Sequence, residues 1–288
     1  PTNPPFALSA SYENGNRANP GGAAVPALAP WGSMQSVSTG FSIPRSWNWS
    51  MSLQRELPWW GLFGEVAYVG ADGSQLMRRP DVNLPSFADR EANAAGPRYN
   101  TNYLRPYKGY SQILMGLSDA GSSYHAAQVF LSKRRGDLTF TLNYTLGRSY
   151  DNGSGNFDNP ADGAEDLDYY WGPSDFYRTH IFVGTWAYRL PFFKDNRGLL
   201  GQVLGGWEVS GITRYQTGAP LTVSGPTSIG GRRADYLGGD PYIDERINPT
   251  TGAVQWLNRA AFASAPEGRR GNSERGQFTG PSYHIWDI

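Results

Sequence analysis

The chain has no cysteine and only three histidines in 288 residues. Disulfides and thiolate metal sites are thereby excluded. His125, His180 and His284 stand too far apart for an HExxH pair or any comparable ligand spacing, and read instead as strand or interface residues. Neither charge is in excess: 25 basic residues balance 25 acidic ones, so no long-range attraction to nucleic acid or acidic lipid follows. No apolar run approaches the roughly 18 residues of a membrane helix. That excludes an α-helical membrane protein but not a barrel, whose strands are only half apolar. Neither a GxSxG elbow nor a Walker loop is present, and no acid pair stands out at a strand end. An enzyme such as a glycosidase, with two carboxylates facing a cleft, is kept as an alternative, but no bond chemistry is expected. No charged, apolar leader opens the chain. It starts Pro-Thr-Asn-Pro-Pro and closes on His-Ile-Trp-Asp-Ile, in what reads as mid-strand, so both ends are expected to be cut from something longer.

What the sequence does have is turn formers, aromatics and alternation. It carries 36 Gly, 21 Pro and 10 Trp, so turns and loops must be many. The clearest stretch is Asp137–Tyr150. Leu138, Phe140, Leu142, Tyr144 and Leu146 alternate with Thr139, Thr141, Asn143, Thr145 and Gly147, which makes one sheet face apolar and the other small and polar. Ala127, Val129 and Leu131 supply the partner strand, across the tight turn Arg134-Arg135-Gly136. Similar runs occur at 5–13, 45–57, 62–70, 123–134, 178–190, 207–217 and 283–288. Tyr110–Leu117 reads as a β-like piece that folds back onto the strand starting at Ser123.

The connections alternate in length. Those at 58–61, 134–137 and 191–206 are short or medium; those at 14–44, 71–122, 151–177 and 218–282 are long. An up-and-down barrel in an outer membrane predicts this sorting, with short turns on one side and long outer loops on the other. A soluble Greek-key sandwich has no reason to sort its loops. The expected fold class is therefore all-β: an antiparallel up-and-down transmembrane β-barrel, present only in part, with about eight spanning strands of tilted bilayer length. Trp47, Trp49, Trp186, Tyr188 and Trp207 suit an aromatic girdle at the lipid interface; for Trp47 and Trp49 a sandwich core is the alternative.

Two stretches are candidate sites. Asp151, Asp158, Asp162 and Asp166 lie in an acidic loop rich in Asn and Gly. Oxygen-rich loops bind Ca²⁺, but the EF-hand spacing is missing, and a solvated acidic loop explains the composition as well. Tyr169, Tyr170 and Trp171 follow near the expected outer rim, either as substrate contacts or as girdle residues. Arg178 and Arg214 are expected to face the polar interior.

Several phrases, in order, carry a family resemblance: SWNWSMSLQRELPW, EVAYVGADGSQLMR, LRPYKGY, SSYHAAQVFLSKRRGDLTFTLNYTLGRSYD, GPSDFYRTHIFVGTWAYRLPFF, GLLGQVLGGWEVSGITRYQTGAPLTV, GDPY and WLNRAAFA, then a Gly/Arg-rich stretch before WDI. Together they resemble the C-terminal half of the barrel of TonB-dependent outer-membrane receptors, in the Oar-like branch that carries a carboxypeptidase-regulatory-like domain. The resemblance runs from about Ser46 to the end of the chain. It implies a full barrel of about 22 strands, with a plug and N-terminal domains that these residues do not include. It also implies location in the outer membrane, contact with its lipid, coupling to TonB through the missing part, and uptake of an unidentified substrate without a cofactor. A secreted all-β carbohydrate-binding or adhesion module is the alternative. It would put the apolar side chains inside a closed core.

Overall fold

The computed structural model describes residues 33–58, 60–96, 99–107, 110–155, 167–192, 198–225, 232–247, 250–266 and 269–288. The run expected at 5–13 lies outside them. One sheet of nine strands dominates. Its members are β1 (Met34–Val37), β2 (Arg45–Leu57), β3 (Leu62–Arg78), β4 (Ile113–Lys133), β5 (Leu138–Asp151), β6 (Gly172–Pro173), β7 (His180–Arg189), β8 (Glu208–Gln216) and β9 (Tyr283–Asp287). The order across the sheet is β9-β8-β7-β5-β4-β3-β2, with every pair on this path antiparallel. Short β1 runs parallel to the start of β4, and β6 pairs with the end of β5. Seven long strands thus form a meander. Among the described residues β2 and β9 are its two edges and do not pair with each other, so the sheet is a partial barrel.

Local chemistry explains the hairpins. At the β4–β5 turn Gly136 takes φ 95, a left-handed conformation that side chains with a Cβ resist. Thr, Tyr, Phe, Val and Ile fill the strands, as a pleated, half-buried surface favours. The observed bounds of β2, β5, β7, β8 and β9 fall within a residue or two of the sequence alternation. β3 and β4 differ: they run on together well past Gly70 and before Ser123. Tyr110–Leu117 is therefore no separate ribbon, since Ile113–Leu117 is the first part of β4 itself. Alternation hides this because the ladder slips register between Gly73 and Leu76 and again between Leu76 and Met77, where Gln75 adopts φ 55. A bulge of this kind breaks the period of two. The extended arm is pinned by buried Arg78, whose Nε and Nη2 donate to Asp119 Oδ1 and Oδ2 at 2.6 and 2.8 Å.

The 79–112 connection contains α1 (Phe87–Ala95) and α2 (Thr101–Leu104). Ser86 caps α1 by accepting from the Asp89 N–H. Fully buried Asn83 organises the segment. Its Nδ2 lies 3.0–3.1 Å from the carbonyls of Tyr107, Tyr110 and Ser111, and its Oδ1 accepts from the Tyr107 N–H at 2.7 Å. Beside it, burial lowers the pKa of Arg105 from the usual guanidinium range while the Asp81 carboxylate holds it up. Asn83→Ala should orphan these buried backbone groups at a local cost of up to about 3 kcal/mol. Limited proteolysis within 79–112 should then accelerate by up to about a hundredfold, with the long strands still protected. An unchanged cleavage rate would show that the segment is held by something else.

Candidate functional site

The sheet's two faces are chemically opposite. Pairing puts Trp47, Trp49, Met51 and Leu53 of β2 on the same face as Leu62, Val66 and Tyr68 of β3 and Val129 and Leu131 of β4. The face continues through Leu138, Phe140, Leu142, Tyr144 and Leu146 of β5, Phe182, Trp186 and Tyr188 of β7, and Val209 of β8. Behind it lie Ser50, Ser52, Gln54, Glu65, Gln128, Ser132, Thr141, Asn143, Thr145 and Thr185, with Phe63, Phe130, Ile181, Val183 and Ile212 among them. The apolar face is open: Trp47 is 71% exposed, Met51 77% and Leu53 76%. A single exposed leucine needs no explanation, but a band across seven strands does. Among the described residues, every substantial contact between elements joins hydrogen-bonded neighbours, and no second sheet covers the band. A closed sandwich core, on which the secreted-module alternative depends, is not what these side chains build.

Aromatics gather toward both ends of the band. Trp186, Tyr188 and Trp207 sit near the short turns. Trp207 continues the β7–β8 ladder through the Leu190 N–H donated to its carbonyl. Trp47, Trp49 and Tyr68 lie toward the long connections, on the same face, with Tyr144 and Tyr215 nearer mid-strand. All five girdle candidates from the sequence therefore share the apolar face. The histidines join the second group, each beside a tyrosine of a neighbouring strand. Tyr68 Oη and Tyr144 Oη lie 2.7 Å from Nδ1 of His125 and His180, and the rings of Tyr215 and His284 are 4.7 Å apart. Sequence reading missed this because the partners are remote along the chain. Arg214 is on the polar face as expected, with its guanidinium 5.9 Å from the Tyr283 ring. Arg178 lies outside the β5–β7 ladder, which ends at Leu146 and His180; one further bond, from the Gly147 N–H to the Thr179 carbonyl, brings its backbone beside β5 near Arg148.

At the rim of the long connections, Arg275 reaches down from the 218–282 excursion onto the top of β5. Its Nη1 donates to the Asp151 carbonyl (2.7 Å), Asp151 Oδ1 (2.8 Å) and the Tyr170 carbonyl (3.0 Å); its Nη2 donates to Ser154 Oγ (2.6 Å) and Asp175 Oδ1 (3.3 Å). Asp151 is thus committed to a guanidinium, to the Ser154 hydroxyl and to the Gly153 N–H. Asp158, Asp162 and Asp166 lie outside the described residues. Gly172 is required by close approach: a Cβ there would meet the Arg275 carbonyl oxygen at 2.8 Å.

Tyr169, Tyr170 and Trp171 part company. Tyr169 packs inward, with Arg233 stacked 3.6 Å and Arg270 4.5 Å from its ring and Phe87 edge-on at 6.5 Å. Arg90 and Arg270 also lie over Phe87, at 4.1 and 4.2 Å. Three separate excursions meet in this alternation of guanidinium and ring. Tyr170 lends its carbonyl to Arg275, and Trp171 alone is exposed. The arginines were not singled out from sequence; only the Gly/Arg-rich stretch before the last strand hinted at them. The 220–279 region adds its own small core of Tyr236, Phe262 and Phe278, with ring centroids 5.0–5.7 Å apart.

No curated protein matches this chain. Among solved structures it is similar to the FrpB iron transporter from Neisseria meningitidis (F3-3 variant), at 13% identity and a TM-score of 0.38. That likeness covers 69% of this chain and 24% of that one, so the chain spans about a quarter of the transporter's length. A family model matches residues 1–288 throughout, as the outward apolar band and polar reverse face require, and the chain belongs to the outer membrane beta barrel domain family.

Proposed function

We propose that the protein is a TonB-dependent receptor of the Oar-like branch, with this chain forming part of its barrel wall. The observation that carries the reading is the seven-strand meander with one lipid-facing side, whose short turns all fall at one rim and whose long excursions all fall at the other. The ordered sequence phrases from SWNWSMSLQRELPW to WDI support the branch. In this reading the long excursions are outer loops, and the wall supplies rigidity and a wet lining without bond chemistry. Trp171 is the side chain of its triplet placed to meet substrate, while Tyr169 and Tyr170 build the support beneath it. A plug and a TonB-contacting segment elsewhere in the protein would complete the transporter.

Uptake in such a receptor is energised from the inner membrane. Deleting the gene should leave in the medium a set of solutes that wild-type cells deplete, and a protonophore should reproduce the deletion. Identical depletion by the wild-type, deletion and protonophore-treated cultures would refute transport.

A further inference from the structure

Basic residues gather on adjacent strands toward the long-connection end of the apolar face. His125 of β4 is paired with Arg148 of β5, His180 of β7 is paired with Leu146, two residues along β5 from Arg148, and Arg178 adjoins Thr179, whose carbonyl accepts from the Gly147 N–H. Each of the two histidines lies roughly nine or ten residues from the short turn at the foot of its strand, the length that crosses the hydrocarbon when tilted. The row therefore sits where the apolar band ends and headgroups begin, on the side of the long excursions.

Its partners leave it open to an anion. Arg148 is exposed and lies with its guanidinium 4.4 Å over the Tyr150 ring. Arg178 gives one N–H to the Tyr177 carbonyl at 2.6 Å. Neither forms an ion pair with a carboxylate among the described residues. The acid on this face nearest the row, Asp72, belongs to β3 and faces Trp47 and Ser123. The tyrosine hydroxyls bonded to Nδ1 fix both imidazoles against the wall; Nε2 of His125 is also 3.2 Å from Ser123 Oγ, so His180 is the histidine with an uncommitted Nε2 among the described residues. At the boundary between acyl chains and headgroups, an anionic headgroup is the partner a lipid-facing row meets at its own depth. Arginine forks match phosphate oxygens in pairs, and the flanking tyrosines suit the boundary between acyl chains and headgroups.

We infer that Arg148, Arg178, His125 and His180 form a headgroup site for an anionic, phosphate-bearing lipid of the outer leaflet. This rests on the outward orientation of the long excursions proposed above. The full-length protein, purified and delipidated in dodecyl maltoside, is mixed separately with phosphatidic acid, phosphatidylcholine and inorganic phosphate, and bound adducts are counted by native mass spectrometry. Phosphatidic acid should be retained in preference to phosphatidylcholine. Retention should fall about tenfold or more in the Arg148→Ala/Arg178→Ala variant and stay unchanged in Arg214→Ala on the polar face. Arg148→Gln, which keeps size and hydrogen bonding, serves in the same assay if the double variant does not fold. Equal retention by wild type and arginine variants, or binding of inorganic phosphate as strong as that of the lipid, overturns the site. Orientation is read separately: these 288 residues carry no cysteine, and Phe176→Cys on this rim should react with a membrane-impermeant maleimide on intact cells above the level seen with the unsubstituted protein. No labelling, with lipid retention still dependent on the arginines, would overturn the orientation and leave the lipid site standing.

Discussion

Arg275→Ala should release the outer ends of two excursions from the sheet while leaving the sheet itself folded. The guanidinium is only 12% exposed and its partner Asp151 only 4%, so the ion pair lies out of bulk water. Forming such a pair from solvated ions gains little, because desolvation offsets the Coulomb term; removing one partner is costly, about 3–5 kcal/mol, because the other charge stays buried and uncompensated. Arg275 also serves two backbone carbonyls and a serine hydroxyl, so their hydrogen bonds go too. The loss is local. Asp151 ends β5, where Gly172 of β6 pairs with it, and Arg275 belongs to the excursion before β9. Amide exchange should therefore accelerate by about a hundredfold or more across 167–175 and 272–279, and stay slow in β4, β5 and β7. Arg275→Lys should fall between, since an ammonium keeps the charge but cannot address five acceptors from one planar group. Unchanged exchange in the alanine variant would mean that the aromatic and arginine stack around Tyr169 holds the excursions by itself.

That knot also marks the limit of what could be read from the chain alone. The strands were legible because a sheet with unlike faces imposes a period of two, and β2 and β5 keep it without interruption. The length of β3 and β4 was not legible, since the register slips after Gly73 change which residues face which side. Trp47, Trp49, Trp186, Tyr188 and Trp207 could be placed at an interface because their own strands carry the information. The contacts that make the rim could not. Asp151 meets Arg275, and Tyr169 meets Arg233, Arg270 and Phe87, across sequence separations that no local pattern encodes. Asp151, read from sequence as one acid among several, is set apart by that distant arginine. The same holds for His125 and His180, whose roles come from Tyr68 and Tyr144 on neighbouring strands.

The sharpest test of the whole arrangement compares adjacent residues of one strand. Val129 and Gln128 occupy the middle of the membrane-crossing part of β4, at nearly the same depth, on opposite faces. Val129 pairs with Val66 and Tyr144 on the apolar side, and Gln128 pairs with Ala67 and Thr145 on the polar side. An arginine at the bilayer midplane on the lipid face costs about 2–4 kcal/mol, whereas the wet interior tolerates it. Val129→Arg should therefore lower the urea midpoint of the full-length protein in phosphatidylcholine vesicles, and reduce the fraction that changes mobility on boiling in denaturing gels. Gln128→Arg should stay within about 1 kcal/mol of wild type. Strand propensity and chain position are shared by the two sites, so the difference isolates which way each side chain points. A sheet whose apolar face was buried against protein would also reject Val129→Arg, but it would lose that penalty to neither thickness nor depth. In lipid the cost must shrink for the same substitution at Trp47, near the headgroups, where an arginine side chain can reach water. Equal losses at Val129 and Trp47, or a larger loss at Gln128 than at Val129, would contradict a lipid-facing wall.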